Sequence, residues 1–376
     1  MSDKSVNTPI IIPEELLPRD GRFGSGPSKI RPEALEALAA RANQYLGTSH
    51  RQKTVKSVVH QLRVGLSELF SLPDGYEVVL GNGGATYFWD TAVFSLIESR
   101  SQHLSFGEFS SKFAASAKMA PFIGDPDVIK SETGSHPEAI ADPSIDLYAL
   151  THNETSTGVS MEIRRPVGAK GLVAVDATSA AGGMLVDPEE FDCYYFAPQK
   201  GFSSDGGLWI ALMSPAAMTR AKEISGSGRY IPPALDLTIS IENSLLDQTY
   251  NTPALATIYL MLNQVEWMLG NGGLAFSAGR SAMSSGILYD WADASSFASP
   301  YVTDPKMRSA VVGTIDFDAE IDAKVIASTL RSNGIVDTEP YRKLGRNQLR
   351  IATFPSVDPE DVAKLVACID FVVQSL

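Results

Sequence analysis

One lysine is carried by this sequence from an apolar strand into a loop of small residues. In Cys193-Tyr194-Tyr195-Phe196-Ala197-Pro198-Gln199-Lys200-Gly201-Phe202, the run Tyr194 to Ala197 is short, apolar and aromatic, the pattern of a strand covered on both faces. Pro198 has no N–H to give a ladder and ends it. Lys200 follows among Gly201, Ser203, Ser204, Asp205, Gly206 and Gly207, and the apolar run Leu208 to Leu212 resumes at once. An ammonium held there is poorly solvated and loses its proton readily, which makes it a nucleophile toward an aldehyde. A solvated loop lysine is the plainer alternative. Upstream, Gly171 to Ser179 reads as a second buried strand whose end carries Asp176, at the edge where open α/β sheets bind ligands. Asp176 there either faces a ligand or caps the next turn.

A carboxylate that pairs with a protonated pyridine nitrogen and a lysine that bonds the same ring's aldehyde carbon are two fixtures required by pyridoxal 5'-phosphate. The third is a phosphate cradle. Tyr76 to Leu80 is a strand candidate, and Gly81-Asn82-Gly83-Gly84-Ala85-Thr86 leads from it into the apolar run Tyr87 to Phe94. Such a turn and helix start aim backbone N–H groups at an anion. A dinucleotide fold also uses a glycine turn after a first strand, but the spacing here is not Gly-x-Gly-x-x-Gly, and no Gly-Lys-Ser/Thr of a nucleotide P-loop follows.

Gly24-Ser25-Gly26-Pro27, Ser49-His50-Arg51, Gly83-Gly84-Ala85, Asn153-Glu154-Thr155-Ser156-Thr157-Gly158, Asp176, Gln199-Lys200, Asn251-Thr252-Pro253 and the segment Arg342 to Arg350 occur in that order. Together they resemble the phosphoserine aminotransferase family, most closely its actinobacterial branch. The resemblance implies a class V, fold-type I pyridoxal-phosphate enzyme of α/β class. Its large domain (28–268) would hold a mainly parallel seven-stranded sheet, and 1–27 with 269–376 would form a smaller α+β domain. It implies a homodimer with shared active sites and amino transfer between L-glutamate and 3-phosphohydroxypyruvate, giving 2-oxoglutarate and O-phospho-L-serine, with 4-phosphohydroxy-L-threonine as a further candidate substrate.

By the same resemblance, Lys200 and Asp176 are catalytic. Gly84, Ala85 and Gln199 hold the phosphate, Phe109 stacks on the ring and Thr155 supports it, with Thr178 as a further candidate. Asn251 and Thr252 reach the phosphate across the dimer boundary. Arg350 holds the substrate carboxylate, while His50, Arg51 and Arg342 bind the distal anion. Each has a plainer alternative: a core aromatic for Phe109, a helix cap for Asn251 or Thr252, a solvated loop for His50 and Arg51, and a structural ion pair for Arg350. Tyr341 stands where many relatives carry histidine, and the stretch from Arg342 to Arg350 is longer than theirs. A class V aminotransferase acting on alanine, serine or glyoxylate is the alternative reading, and it has no need of the second basic cluster. A cysteine desulfurase would need a reactive, accessible thiol, which the apolar settings of Cys193 and Cys368 do not suggest.

The elements that must position these residues follow a βα rhythm, with helical periodicity in Pro32 to Leu46, Thr54 to Phe70, Asn251 to Met268, Ala323 to Ser332 and Pro359 to Val373. Val311 to Phe317 and Gln348 to Thr353 read as strands of a smaller unit beyond Asn271-Gly272-Gly273. At 376 residues and 44% hydrophobic content the chain can bury a large core. A formal net charge of -13 argues against nucleic-acid or anionic-membrane partners. Two cysteines imply no disulfide framework, and with no long apolar run at the N-terminus a cytoplasmic location is expected.

Overall fold

The computed structural model describes residues 10–376. Seven strands form its central sheet: β1 (Glu77–Gly83), β2 (Ser101–Ser105), β3 (Asp127–Lys130), β4 (Leu147–Thr151), β5 (Leu172–Asp176), β6 (Cys193–Phe196) and β7 (Gly207–Met213), in the spatial order β3-β2-β4-β5-β6-β7-β1. Strands β2 to β6 run parallel. Strand β7 is antiparallel to both of its neighbours, so β1 points the same way as β6. The carboxyl ends of β1, β2, β4, β5 and β6 therefore share one edge, and the loops that leave it converge.

Side-chain alternation divides the sheet residues between two cores. Tyr194, Phe196, Val173 and Val175 face a layer made by α2 (Lys53–Leu69) and α7 (Leu255–Gly270), backed by α1 (Pro32–Tyr45). Cys193, Tyr195, Ala174 and Trp209 face α3 (Ala85–Ser95), α4 (Glu108–Met119), α5 (Pro215–Ser225) and α6 (Leu237–Leu245). With helices on both sides, β5 and β6 are buried along their whole length, as their unbroken apolar runs require.

A further core forms around an antiparallel sheet of β8 (Ala298–Pro300), β9 (Val312–Phe317) and β10 (Gln348–Ala352). It packs on α8 (Gly273–Ala294), α9 (Ala323–Ser332) and α10 (Pro359–Gln374). Ile12 and Phe23, from the start of the chain, belong to this core. The backbone of Gly21 to Phe23 is stitched to Val336 and Ala352: Val336 donates to Gly21 at 2.8 Å, and Ala352 donates to Phe23 at 3.0 Å.

Two expected boundaries differ. Gly81-Asn82-Gly83 is not a turn but the last part of β1, paired with Trp209, Leu208 and Gly207. A Cβ on Gly81 would lie 2.0 Å from the Trp209 ring, so only glycine lets this strand cross the indole. The helix expected from Asn251 begins at Leu255, with Ala254 as its N-cap and no side-chain cap. Asn82 explains the delay: its amide donates to the Thr252 carbonyl at 3.0 Å and its oxygen accepts from Asn251 N at 3.4 Å, which ties that backbone to β1 and not to a helical ladder. No helix of the described residues is long and apolar enough to cross a membrane.

Candidate active site

Lys200 leaves the carboxyl end of β6 and is 8% exposed. Its loop is clamped from the N-terminal segment, where Ser28 donates from its amide to Gln199 O at 2.8 Å and from its hydroxyl to Lys200 O at 2.6 Å. Gly26 lies against the lysine stem, and a Cβ there would sit 3.0 Å from Lys200 Cε. The ammonium Nζ donates to Thr155 Oγ1 at 2.9 Å; that hydroxyl bonds Ser179 Oγ at 2.8 Å, which donates in turn to Asn153 O. Burial lowers the Lys200 pKa to about 8, with Asp176 and Glu154 opposing the shift and Arg350 adding to it.

Asp176, at the end of β5, is 5% exposed. Each of its oxygens has one donor: Thr178 N to Oδ1 at 3.0 Å and Trp89 Nε1 to Oδ2 at 3.1 Å. Strand β1 runs through Gly84 directly into α3, whose N-cap makes no side-chain hydrogen bond, so the first N–H groups of the helix face the same space. A cavity of about 380 Å³ lies among Gly84, Phe109, Asp176, Lys200, Tyr341 and Arg350, with Ala85, Thr155, Thr178 and Gln199 also on its wall. Around this space Thr178 Oγ1, Gln199 Oε1, Asn153 Oδ1 and Arg350 Nε are buried without partners among the described residues. Unsatisfied buried polar groups are costly, and here they border the cavity or stand beside it. An amine, a carboxylate and a helix N-terminus around one cavity, with the Phe109 ring on its wall, fit pyridoxal phosphate.

Phe109 is set by a residue that the sequence reading did not single out for a role. The carboxylate of fully buried Glu154 accepts from Phe109 N at 3.0 Å and Ser110 N at 2.8 Å through Oε2, and from Ser156 Oγ at 2.7 Å through Oε1. It thus caps α4 and holds the Phe109 ring 5.3 Å from Lys200 Nζ. Gly107 makes room for it, since a Cβ there would lie 2.3 Å from Glu154 Cγ. Trp89, Ser179 and Asn153 were likewise given no role. Only the Asn153-to-Gly158 motif and the position of Trp89 one turn past Ala85 could have signalled them.

Arg350, on β10, reaches the cavity from the second core. It donates from Nη1 to Thr155 O at 3.4 Å, its guanidinium lies 5.4 Å from the Tyr341 ring, and burial lowers its pKa. Tyr341 in turn lies 5.9 Å from the Phe109 ring, and Lys343 forms an ion pair with Glu108. The remaining expected residues stand apart. Arg342 lines a neighbouring cavity of about 470 Å³ with Lys324 and Arg346. His50, Arg51, Asn251 and Thr252 are not on the wall of the Lys200 cavity. They gather beyond the end of β1, where His50 Nδ1 meets Thr252 Oγ1 at 3.3 Å. Asn251 and Thr252 are exposed, while His50 Nε2 is buried and unpartnered among the described residues. Neither cysteine suits nucleophilic chemistry, because both are buried and burial raises both thiols, Cys368 to about 11.

Residues 23–338 match the family described as aminotransferase class-V. The chain is 60% identical over 371 residues to the phosphoserine aminotransferase of Rhodococcus jostii, covering 98% of this chain and 99% of that one. Among solved structures it superposes on a phosphoserine aminotransferase from Cytophaga hutchinsonii with a TM-score of 0.85 at 24% identity, covering 93% of this chain and 99% of the other. An aspartate aminotransferase from Thermus thermophilus gives 0.80 at 21% identity, over 94% and 99% of the two chains. At such identities the structural likeness speaks for the fold.

Proposed function

The chain belongs to the class-V aminotransferase family, and we propose that its reaction is reversible amino transfer between L-glutamate and 3-phosphohydroxypyruvate, giving 2-oxoglutarate and O-phospho-L-serine, a step of L-serine biosynthesis. The fold is the α/β fold-type I of pyridoxal-phosphate transferases, and pyridoxal 5'-phosphate is the cofactor. The convergence of Lys200, Asp176, the α3 N-terminus and Arg350 on one cavity carries the reading. When bound, the cofactor supplies an electron-accepting ring for chemistry at the substrate α-carbon.

Lys200, brought to about 8 by burial, exchanges a proton at Nζ near neutral pH and moves it to and from the α-carbon. Thr155 Oγ1 orients that nitrogen through the 2.9 Å hydrogen bond. Asp176 would pair with the ring nitrogen and favour its protonated form. Gly84 and Ala85 hold the phosphate at the start of α3, with Gln199 beside them and Phe109 covering the ring. Arg350 binds the substrate α-carboxylate, for which its planar fork is suited. Its buried Nε, without a partner among the described residues, is the observation that favours this role.

Both substrates carry a distal anion, phosphate or carboxylate, so a second basic pole is needed. In this chain His50, Arg51, Asn251 and Thr252 lie outside the Lys200 cavity, which supports a homodimer whose partner subunit completes each site. We assign 28–268 to the cofactor-binding domain and 1–27 with 269–376 to the small domain, and we locate the enzyme in the cytoplasm, in keeping with its two free, buried cysteines. Steady-state kinetics with phosphoserine, glutamate and alanine test the assignment. Arg350→Ala is expected to depress kcat/KM for all three. Arg51→Ala is expected to lower it about 30-fold or more for the two donors with a distal anion, while sparing slow reaction with alanine. A wild-type preference for alanine or unphosphorylated serine would instead favour the general class V reading.

A further inference from the structure

We propose that Trp89 is a positioning residue for the reaction: its indole N–H fixes Asp176 Oδ2, so that α3 governs both the phosphate end of the site and the carboxylate at the opposite end. The inference rests on reading Asp176 as the partner of the cofactor ring nitrogen.

Trp89 is 4% exposed and lies four residues, about one turn, past Ala85, where α3 begins. An indole offers a single donor and no acceptor, and this one is spent on Asp176 at 3.1 Å. The helix cannot easily rotate to release it. Its neighbour Phe88 is stacked on Tyr195 at 4.4 Å and packed edge-on against Trp209 at 4.9 Å, which pins α3 to β6 and β7. The distance between the N–H groups that start α3 and the carboxylate at the end of β5 is therefore set by one rigid piece of backbone and one rigid side chain.

The choice of tryptophan has a chemical consequence. The other groups around Asp176 are the Thr178 amide, the hydroxyls of Tyr194 and Tyr195, and the Lys200 amine. The indole neither accepts a proton nor gives one up in the working pH range, and burial holds the Tyr194 and Tyr195 hydroxyls protonated there too, which leaves Lys200 as the titrating side chain of this group. The indole adds a hydrogen bond to the carboxylate without adding charge and without titrating. Deprived of that donor, the carboxylate would have one hydrogen bond fewer and would draw more strongly on a proton at the ring nitrogen of a bound cofactor. When the cofactor is bound, that change would leave its ring less cationic and would raise the pH at which its visible band changes.

The test is a spectrophotometric pH titration of the visible band of the bound cofactor in the holoenzyme, with thermal unfolding of the cofactor-free protein recorded in parallel. Five proteins are compared: wild type, Trp89→Phe, Asp176→Asn, the double variant Trp89→Phe with Asp176→Asn, and a protein carrying at position 89 a tryptophan isostere with ring sulfur in place of N–H. The isostere keeps the shape and removes only the donor, so it reads the hydrogen bond even if Trp89→Phe folds poorly. Expected is an upward movement of the transition by about one pH unit in both Trp89 variants, absent when Trp89→Phe is made in the Asp176→Asn background. If Asp176→Asn moves the transition while both Trp89 variants titrate as wild type, the inference is overturned and the role of Asp176 stands, whatever happens to thermal stability. If Asp176→Asn itself leaves the transition in place, the ring-nitrogen reading fails and the inference falls with it.

Discussion

Lys200 is costly to bury as an ammonium. Its pKa is about 8 in the folded protein against an ordinary value of 10.5, so below pH 8 the folded state holds a proton that its surroundings disfavour. In the cofactor-free protein, Lys200→Met is expected to raise stability by about 3 kcal/mol at pH 7. The gain should fade as pH rises from 8 toward 10.5, where the folded wild type has already lost the proton. Urea denaturation at pH 7 and pH 10 measures it, and an equal gain at both would contradict a buried ammonium. In the holoenzyme, Lys200→Ala should cut turnover by several orders of magnitude, read by single-turnover absorbance. These two roles were legible because Lys200 and Asp176 each punctuate an unbroken apolar run. Trp89 and Glu154 were not, since their partners, Asp176 and the Phe109 amide, are set by the packing of strands and helices far apart in sequence.

Elements were readable where one pattern dominated. Strands β5 and β6 follow from apolar runs, and α9 from a clean apolar stripe bounded by Asp322 and Asn333. Strand β2 gave no such signal: Ser101-Gln102-His103-Leu104-Ser105 is polar in composition yet wholly buried, with His103 kept neutral by burial, its pKa lowered to about 3. Helix α8 hid for the same reason, because its buried face is mostly serine and shows no apolar stripe. Gly81 is the most exacting position in β1, given the indole 2.0 Å from where its Cβ would be. Gly81→Ala should cost about 1–3 kcal/mol by overpacking, seen as a lower urea midpoint, and it should loosen cofactor binding because α3 begins four residues later. A midpoint equal to wild type would mean that Trp209 moves aside freely.

At the scale of the whole molecule, the anions that the proposed substrates carry at both ends outnumber the basic groups one chain gathers around Lys200. Mixing Lys200→Ala subunits with subunits carrying Asn251→Ala and Thr252→Ala is expected to yield hybrids with measurable activity that neither parent shows. Full activity of a monomer in sedimentation would rule the shared site out. That residues before position 28 join those after 268 is what the family resemblance implied; neither composition nor spacing in the sequence points to it. The core around β8, β9 and β10 draws on Ile12 and Phe23 and also on Val372, about 350 residues later. This has a consequence for synthesis. A ribosome delivers the strands of the central sheet, and the helices that cover it, well before the residues that complete the small core, so the latter cannot close until α10 has emerged. Arg350 rides on that late-closing unit. The nascent chain can thus assemble the lysine and its carboxylate partner first and acquire its substrate clamp last, so a chain truncated before β10 could hold its cofactor without being able to use it.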